Sequence, residues 1–208
     1  MIKVYYTDIS PLSDKTEGFV LSGYRLKRLE STSHTLTRKQ SIGAELLLNY
    51  AVNEIFPNLI PPFEIKEGEY GKPSFEDIPL HFSLSHSGNT VACGVSDANI
   101  GLDVEENLVH RPHVAERFFT EAEQGRLSDT SDKGREFARI WTAKESALKF
   151  IGKGLHMPLL CVHTQQHSVT LYPEIKKLAL AVFESQKLVI SVCSEKHEDN
   201  VEFKFIKI

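Results

Sequence analysis

Residues 139–155, RIWTAKESALKFIGKGL, constrain the fold of this chain more than any other stretch. The run has no proline. Its Gly152-Lys153-Gly154 exit supplies the residues at which helices end, with a lysine at the negative end of the dipole. Trp141, Glu145 and Lys149 recur every four residues, so in a helix they stack along one side. Ala143, Ala147, Phe150 and Ile151, with Phe137 and Ile140 just upstream, form a stripe that must be buried. Such a helix packs its apolar stripe on a partner and presents an acid and a base, one turn apart, on another side. As an exposed pair, Glu145 and Lys149 would contribute only about 0.2–0.5 kcal/mol. Whether they are more than that depends on what the rest of the chain brings to them.

The chain has 208 residues, 41% of them hydrophobic, enough for one large domain or two small ones with a real core. A net charge of −4 lacks the basic surplus of a general nucleic-acid binder. Cys93, Cys161 and Cys193 are odd in number and far apart, and read as buried or free thiols of a reducing compartment. The sequence opens on no charged-then-apolar leader, and no run approaches the length of a membrane span. The expectation is a cytoplasmic protein with neither nucleic acid nor membrane as partner.

Residues 2–6 read as a strand. Ser13 or Asp14 is placed to cap a helix reaching about residue 29, which carries Arg25, Lys27 and Arg28. The strongest helical periodicity runs over 37–56 and stops at Pro57. A short strand over 63–66 and a turn at 70–73 (YGKP) follow. Three strand-like runs come next, 80–84, 90–96 and 99–105, the first leading into Ser85-His86-Ser87-Gly88. A helix over 111–119 and a capping box of Thr120 and Glu123 precede the opening helix. After Pro158 the pattern is of strands, 161–164, 169–172, 178–183, 188–193 and 201–208, with a hairpin turn at 185–187. Helices and antiparallel strands thus occur twice in similar order. That predicts an α+β protein of two lobes, 1–105 and 106–208, with its site between them.

Asp103 and Glu105 are two apart in a strand-like run and share a face. Adjacent carboxylates repel unless a cation sits between them. Oxygen ligands suit Mg²⁺, which bridges protein carboxylates to phosphates, and Glu145 from the helix would complete the set. On spacing alone an exposed strand face explains the pair equally well. Ser85-His86-Ser87-Gly88 either turns backbone N–H groups toward a phosphate or is a tight polar turn. Lys72 sits in a turn that by itself carries no meaning. Lys144 fits a solvated surface, and Glu123 fits either a cap or a site.

These pieces stand in one order: YGKP, FSLSHSG, GLDVE, RFFTEAE, then WTAKESALKFIGKGL. In that order the chain resembles the 4′-phosphopantetheinyl transferases, specifically the Sfp-type branch, in register from 70 to 155 and more weakly back to about 27. The family's G-[IV]-D-x-E and W-x-x-K-E-[SA]-x-x-K segments correspond to Gly101-Leu102-Asp103-Val104-Glu105 and to the run from Trp141 to Lys149.

The resemblance implies transfer of the phosphopantetheine arm of coenzyme A to a serine of an apo acyl or peptidyl carrier protein, releasing 3′,5′-ADP. It implies a pseudo-dimer of two similar α+β lobes in a monomeric chain. Asp103, Glu105 and Glu145 would hold Mg²⁺, with Mn²⁺ as the alternative ion, against the pyrophosphate. Glu145 would also be the base, and Lys149 would clamp the phosphates. Ser85 and His86 match positions that contact the phosphates, and Lys72 one that lies along the nucleotide. Lys27 matches a basic residue that meets the 3′-phosphate. Lys39 stands where relatives often have arginine, which keeps the charge but loses the bidentate geometry. Arg38 is the candidate substitute. Where other relatives carry a second lysine this chain has Tyr24, with Arg25 or Arg28 to compensate. Glu123 matches a glutamate near the active site. Carrier proteins are acidic, so the basic and apolar stretch 110–119, with Arg111 and Arg117, is the expected docking region. The alternatives are another Mg²⁺-dependent phosphotransferase or hydrolase, against which the lack of GxxxxGK[ST] counts in part, and a carrier-binding protein without activity.

Overall fold

The structure, a computed structural model, describes residues 1–196 and 201–208. Two sheets carry the fold. The first has the strand order β11-β1-β5-β4, built from β1 (Ile2–Asp8), β4 (His81–Ser87), β5 (Thr90–Ser96) and β11 (Val201–Phe205). The second has the order β6-β10-β9-β8-β7: β6 (Ile100–Glu106), β10 (Leu188–Ser194), β9 (Lys176–Glu184), β8 (Ser168–Leu171) and β7 (Val162–Thr164). A small hairpin of β2 (Ile65–Glu67) and β3 (Pro73–Phe75) carries the YGKP turn. The architecture is mixed α+β, with five α-helices among the described residues.

Each sheet has a long helix on one face. Helix α2 (Thr35–Ile55) lays Leu47, Leu48, Ala51 and Val52 against Tyr5, Phe82 and Cys93 of the first sheet. Helix α5 (Lys133–Ile151) lays Ala143, Ala147 and Leu148 against Leu178 and Cys193 of the second. Burying a leucine in this way stabilises by about 1.5–3 kcal/mol. A third cluster joins the sheets themselves: Ile2, Val4 and Ala92 meet Ile100, Leu102, Ile190 and Val192, all buried. These residues stand on strands whose alternate side chains already face a helix. Their apolar partners therefore lie on the opposite sheet.

Four expectations need correction. The first helix, α1 (Gly23–Glu30), is short and is capped by Ser22, not by Ser13 or Asp14. Proline and glycine at 11 and 18 interrupt the preceding stretch, and Gly18 takes a left-handed φ of 88°. Strand β4 extends through Ser85, His86 and Ser87, so these are strand residues and not a loop. Strand β11 is parallel to β1, with Ile2 opposite Val201, although antiparallel pairing was expected throughout. Helix α2 begins at Thr35, where the His34 side chain accepts the N–H of Thr37.

Strands also cross the boundary drawn after Glu105. β6, which lies before it except for Glu106, pairs with β10, and β11, which follows it, pairs with β1. All three cysteines are free, Cys93 and Cys193 buried and Cys161 partly so. Among the described residues no helix is long and apolar enough to cross a membrane.

Candidate active site

The two motifs meet because Gly101 has no side chain. A Cβ built there would lie 2.0 Å from the Ser146 carbonyl oxygen and 2.3 Å from the Phe150 nitrogen. Only glycine lets α5 rest its backbone on β6, which brings the helix face bearing Glu145 and Lys149 over Asp103. Along α5, Ala143, Lys144, Ala147 and Leu148 are buried, while Trp141, Glu145 and Lys149 are half-buried. The four-residue spacing thus marks the edge of the packed face, where a side chain reaches both protein and solvent.

Lys149 Nζ donates to Asp103 Oδ1 at 2.7 Å. The Ser85 hydroxyl donates to the same oxygen, also at 2.7 Å. Ser87 Oγ donates to Glu105 Oε2 at 2.9 Å, and Arg111 Nη2 stands 3.6 Å from that oxygen. Burial, then the negative charge of Asp103, hold the Glu145 carboxyl above the usual carboxylate range. Burial also raises Glu105, against the pull of Ser87 and Arg111. Three acidic groups therefore bear on one another across the seam of the sheets. Yet among the described residues no three His, Cys, Asp or Glu side chains are gathered as a metal-holding group. The donor set, all carboxylate oxygen, fits a hard divalent cation.

His86 projects from the other face of β4. Loss of water around the ring, then the Lys149 cation, hold its pKa below the ordinary imidazole value, and Arg25 acts in the same direction. Two of the amides that follow, those of Asn89 and Thr90, are already taken. Glu106 Oε2 accepts from Asn89 N at 2.7 Å and from Thr90 N at 3.0 Å. Gly88, at a left-handed φ of 55°, has this carboxylate where its Cβ would stand.

Beside Lys149 lies a cleft of about 290 Å³, walled by Tyr70, Pro73, Phe82, Leu84, Leu148 and Gly152. Tyr70 meets the His156 ring edge-on at 5.2 Å. The aliphatic stem of Lys72 lies against Gly152. Its Nζ is turned inward, donating to Asn99 Oδ1 at 2.7 Å and to the Ile100 and Phe150 carbonyls at 3.0 and 3.3 Å. Burial pushes this ammonium down to about 8. Lys72 thus ties the YGKP turn to β6 and to a terminal carbonyl of α5.

The cations of α1 and α2 are differently placed. Lys27 is exposed on α1. Lys39 Nζ donates to the Ser10 carbonyl at 3.0 Å. Arg38 is spent on three carbonyls, those of Asp14, Leu29 and Thr32. Arg25 is buried against Glu45, Nε to Oε2 at 3.1 Å, and its Nη2 is buried without a partner. Tyr24 lies under the guanidinium groups of both Arg25 and Arg28.

Glu123 and Lys144 form a buried ion pair at 2.8 Å. Lys144 Nζ also donates to the Leu159 and Val162 carbonyls. Glu123 accepts from Thr120 N at 2.8 Å and from Thr164 N and Oγ1 at 2.8 and 2.9 Å. Burial alone would raise the Glu123 carboxyl; the Lys144 ammonium and the amides reverse this and hold it low. The capping box is present, and it is extended inward. Trp141 stacks on Phe137, with planes 9° apart, and meets Phe118 of helix α3 (Pro112–Phe118).

With this geometry in hand, comparison with known proteins is specific. Residues 99–195 match the family model of the 4′-phosphopantetheinyl transferase superfamily. The 4′-phosphopantetheinyl transferase gsp of Aneurinibacillus migulanus is 33% identical over 62% of this chain and 56% of its own. Sfp of Bacillus subtilis strain 168 is 40% identical over 44% of this chain and 42% of its own. The matched region thus spans about half the length of these two relatives. The transferase ffp of Bacillus subtilis is 32% identical over 76% of this chain and 74% of its own. The chain belongs to the 4′-phosphopantetheinyl transferase superfamily.

Of the residues singled out from sequence, Asp103, Glu105, Glu145, Lys149 and Ser85 come together at the seam of β4, β6 and α5, while His86 stands on the opposite face of β4, within reach of the Lys149 and Asp103 charges. Lys72 lies at its rim with the ammonium turned away from the cleft. Lys27 and Lys39 stand on α1 and α2. Sequence reasoning left out Gly101 as the helix contact, Lys144 as a buried partner, Ser83, and the role of Ser87 as a carboxylate partner. The alternation in Phe82-Ser83-Leu84-Ser85-His86-Ser87 was the visible signal for the serines.

Proposed function

We propose that this chain transfers 4′-phosphopantetheine from coenzyme A to a serine of an apo acyl or peptidyl carrier protein, giving the holo carrier and 3′,5′-ADP. The observation that carries the reading is the convergence of Lys149, Asp103 and Glu145 where α5 crosses β6. The pyrophosphate of coenzyme A brings negative oxygens. The serine oxygen bonds to the pantetheine-side phosphorus as the bridging P–O bond breaks and 3′,5′-ADP leaves, a step helped by fixed cations and by a base for the serine proton.

In this reading Asp103, Glu105 and Glu145 would hold Mg²⁺, or Mn²⁺ in its place. Such an ion supplies charge neutralisation at the phosphate oxygens. Glu145 takes the proton of the carrier serine. Lys149 supplies positive charge to the phosphates. His86 faces them from β4. Ser85 has one hydroxyl proton, now given to Asp103, so it serves a phosphate only by exchanging that bond. The apolar cleft beside Lys149 suits the flat base of the nucleotide, with the stem of Lys72 along it. Lys27 is assigned to the 3′-phosphate, and Lys39 to coenzyme A more generally.

The carrier docks on the stretch 110–119, where Arg111 and Arg117 are exposed. The protein acts as a cytoplasmic monomer. Its lobes, 1–105 and 106–208, form a pseudo-dimer that exchanges edge strands. The test is mass spectrometry of an apo carrier domain incubated with the protein, coenzyme A and Mg²⁺. The expected result is phosphopantetheine on the carrier serine and 3′,5′-ADP in solution. No transfer to any of several carriers, with coenzyme A still bound, would overturn the transferase reading. Nucleotide products without a carrier would indicate a hydrolase.

A further inference from the structure

Strands β4 and β6 are edges of different sheets, yet they lie side by side. No backbone ladder joins them. What joins them is three serines two residues apart on one face of β4. Ser83 Oγ accepts the N–H of Leu102 at 2.9 Å. Ser87 Oγ accepts the N–H of Glu106 at 3.1 Å while donating to Glu105 Oε2 at 2.9 Å. Ser85 donates to Asp103 Oδ1 at 2.7 Å.

The register is regular. Ser83 and Ser87 are four apart, and so are Leu102 and Glu106. The hydroxyls therefore do for β6 what the carbonyls of a neighbouring parallel strand would do. A backbone carbonyl can only accept, whereas a hydroxyl accepts and donates. Substituting serines for a ladder leaves one proton per serine with which to hold a carboxylate. The opposite face of β4 carries Phe82, buried in the core, and Leu84. The serines thus cannot rotate away as a set without exposing it.

We propose that this serine ladder is the device that positions the β6 carboxylates, and that Ser87 is a positioning residue for Glu105. Its hydroxyl fixes the strand through the Glu106 amide and the side chain through Glu105 Oε2 with one atom. The assignment rests on the metal reading above. It also rests on hydrogen bonds that do not depend on any metal, so the two can fail separately.

The experiment uses the full chain, with Ser87→Ala, Ser83→Ala and the conservative Ser87→Thr. Amide hydrogen exchange reads the ladder without ligand. Ser87→Ala should speed exchange at the Glu106 amide and leave Leu102 protected. Ser83→Ala should do the converse. Mn²⁺ binding in the presence of coenzyme A, followed by electron paramagnetic resonance, reads the carboxylates. Ser87→Ala should weaken it about 10–100-fold, as loss of an outer-shell partner does. Ser83→Ala, which holds the strand but touches no carboxylate, should weaken Mn²⁺ binding less than Ser87→Ala does, and Ser87→Thr should restore binding. Unchanged exchange at Glu106 in Ser87→Ala would overturn the ladder. Changed exchange with parental Mn²⁺ binding would overturn the positioning role alone. A parent protein that binds no Mn²⁺ with coenzyme A would instead overturn the metal reading and leave the ladder standing on its exchange result.

Discussion

Lys149 Nζ and Asp103 Oδ1 stand 2.7 Å apart, on a helix and a strand that the chain separates by 46 residues. The lysine is about one-third exposed and the aspartate one-tenth, so the pair is half within the protein and half open to the cleft. Without the lysine, Asp103 would face Glu145 and Glu105 without its own charged partner, and Arg111 stands beside Glu105, at 3.6 Å. Lys149→Met is therefore expected to lower the rate of phosphopantetheine transfer by at least about 100-fold, the order seen when fixed charge stabilisation is removed. Lys149→Arg should recover part of it. A carrier-modification time course measures both, and a parental rate in Lys149→Met would remove Lys149 from the chemistry.

Gly101 is expected to tolerate no side chain. Gly101→Ala must push α5 off β6 or bend the strand, since the new Cβ would meet backbone rather than a movable tip. The expected cost is about 2–4 kcal/mol in urea unfolding, above the usual overpacking range because backbone must shift. Gly125 is the internal contrast. It lies exposed in helix α4 (Glu121–Asp129), with nothing within 4 Å of a built Cβ. Gly125→Ala should stabilise by about 0.5–1 kcal/mol.

For the buried pair, removing one partner costs more than removing both. Lys144→Met leaves Glu123 charged and enclosed, and should cost about 3–5 kcal/mol. The double variant Glu123→Gln with Lys144→Met should cost less than that single change. Equal or greater loss in the double variant, by chemical denaturation, would show that the other bonds of Glu123 dominate instead.

Lys72 gives a pH prediction. Its folded pKa, about 8, lies below the ordinary 10.5. Between these values the unfolded chain binds more protons than the fold, so stability rises with pH through this window. Compared with Lys72→Met, the parent protein should gain melting temperature from pH 8 to pH 10. A difference that stays flat would mean that the three acceptor oxygens hold the proton on.

Much of this was legible in the chain. The apolar stripe and the four-residue spacing of α5 gave the helix, its buried face and its charged edge, because local periodicity reports a face directly. The capping box at Thr120 and Glu123 was readable for the same reason, since cap and reciprocal arm are three residues apart. What local pattern could not carry is contact across the chain. Lys144 looks like any lysine on a helix until Glu123, Leu159 and Val162 surround it. Lys72 looks like a turn lysine until Asn99 and Phe150 draw its ammonium inward. The Ser85–Ser87 stretch read as a loop because serine and histidine are common in turns. On β4 the serines instead face a second strand that only the tertiary fold supplies. The parallel pairing of β11 was hidden for a similar reason, as alternation marks a strand without naming its neighbour.

That pairing has a consequence for how the molecule comes into being. The first sheet lacks one of its four strands until the whole of the second has been synthesised, because β11 is made after β10. A ribosome can release the long α2 helix and its partners early, but their sheet closes late, around a segment that has already passed through the other half. Severing the chain after Glu105 would hand each piece a strand belonging to the other. Two such pieces would have to find one another and fold together, as the halves of a buckle do, and neither alone should give a sharp thermal transition.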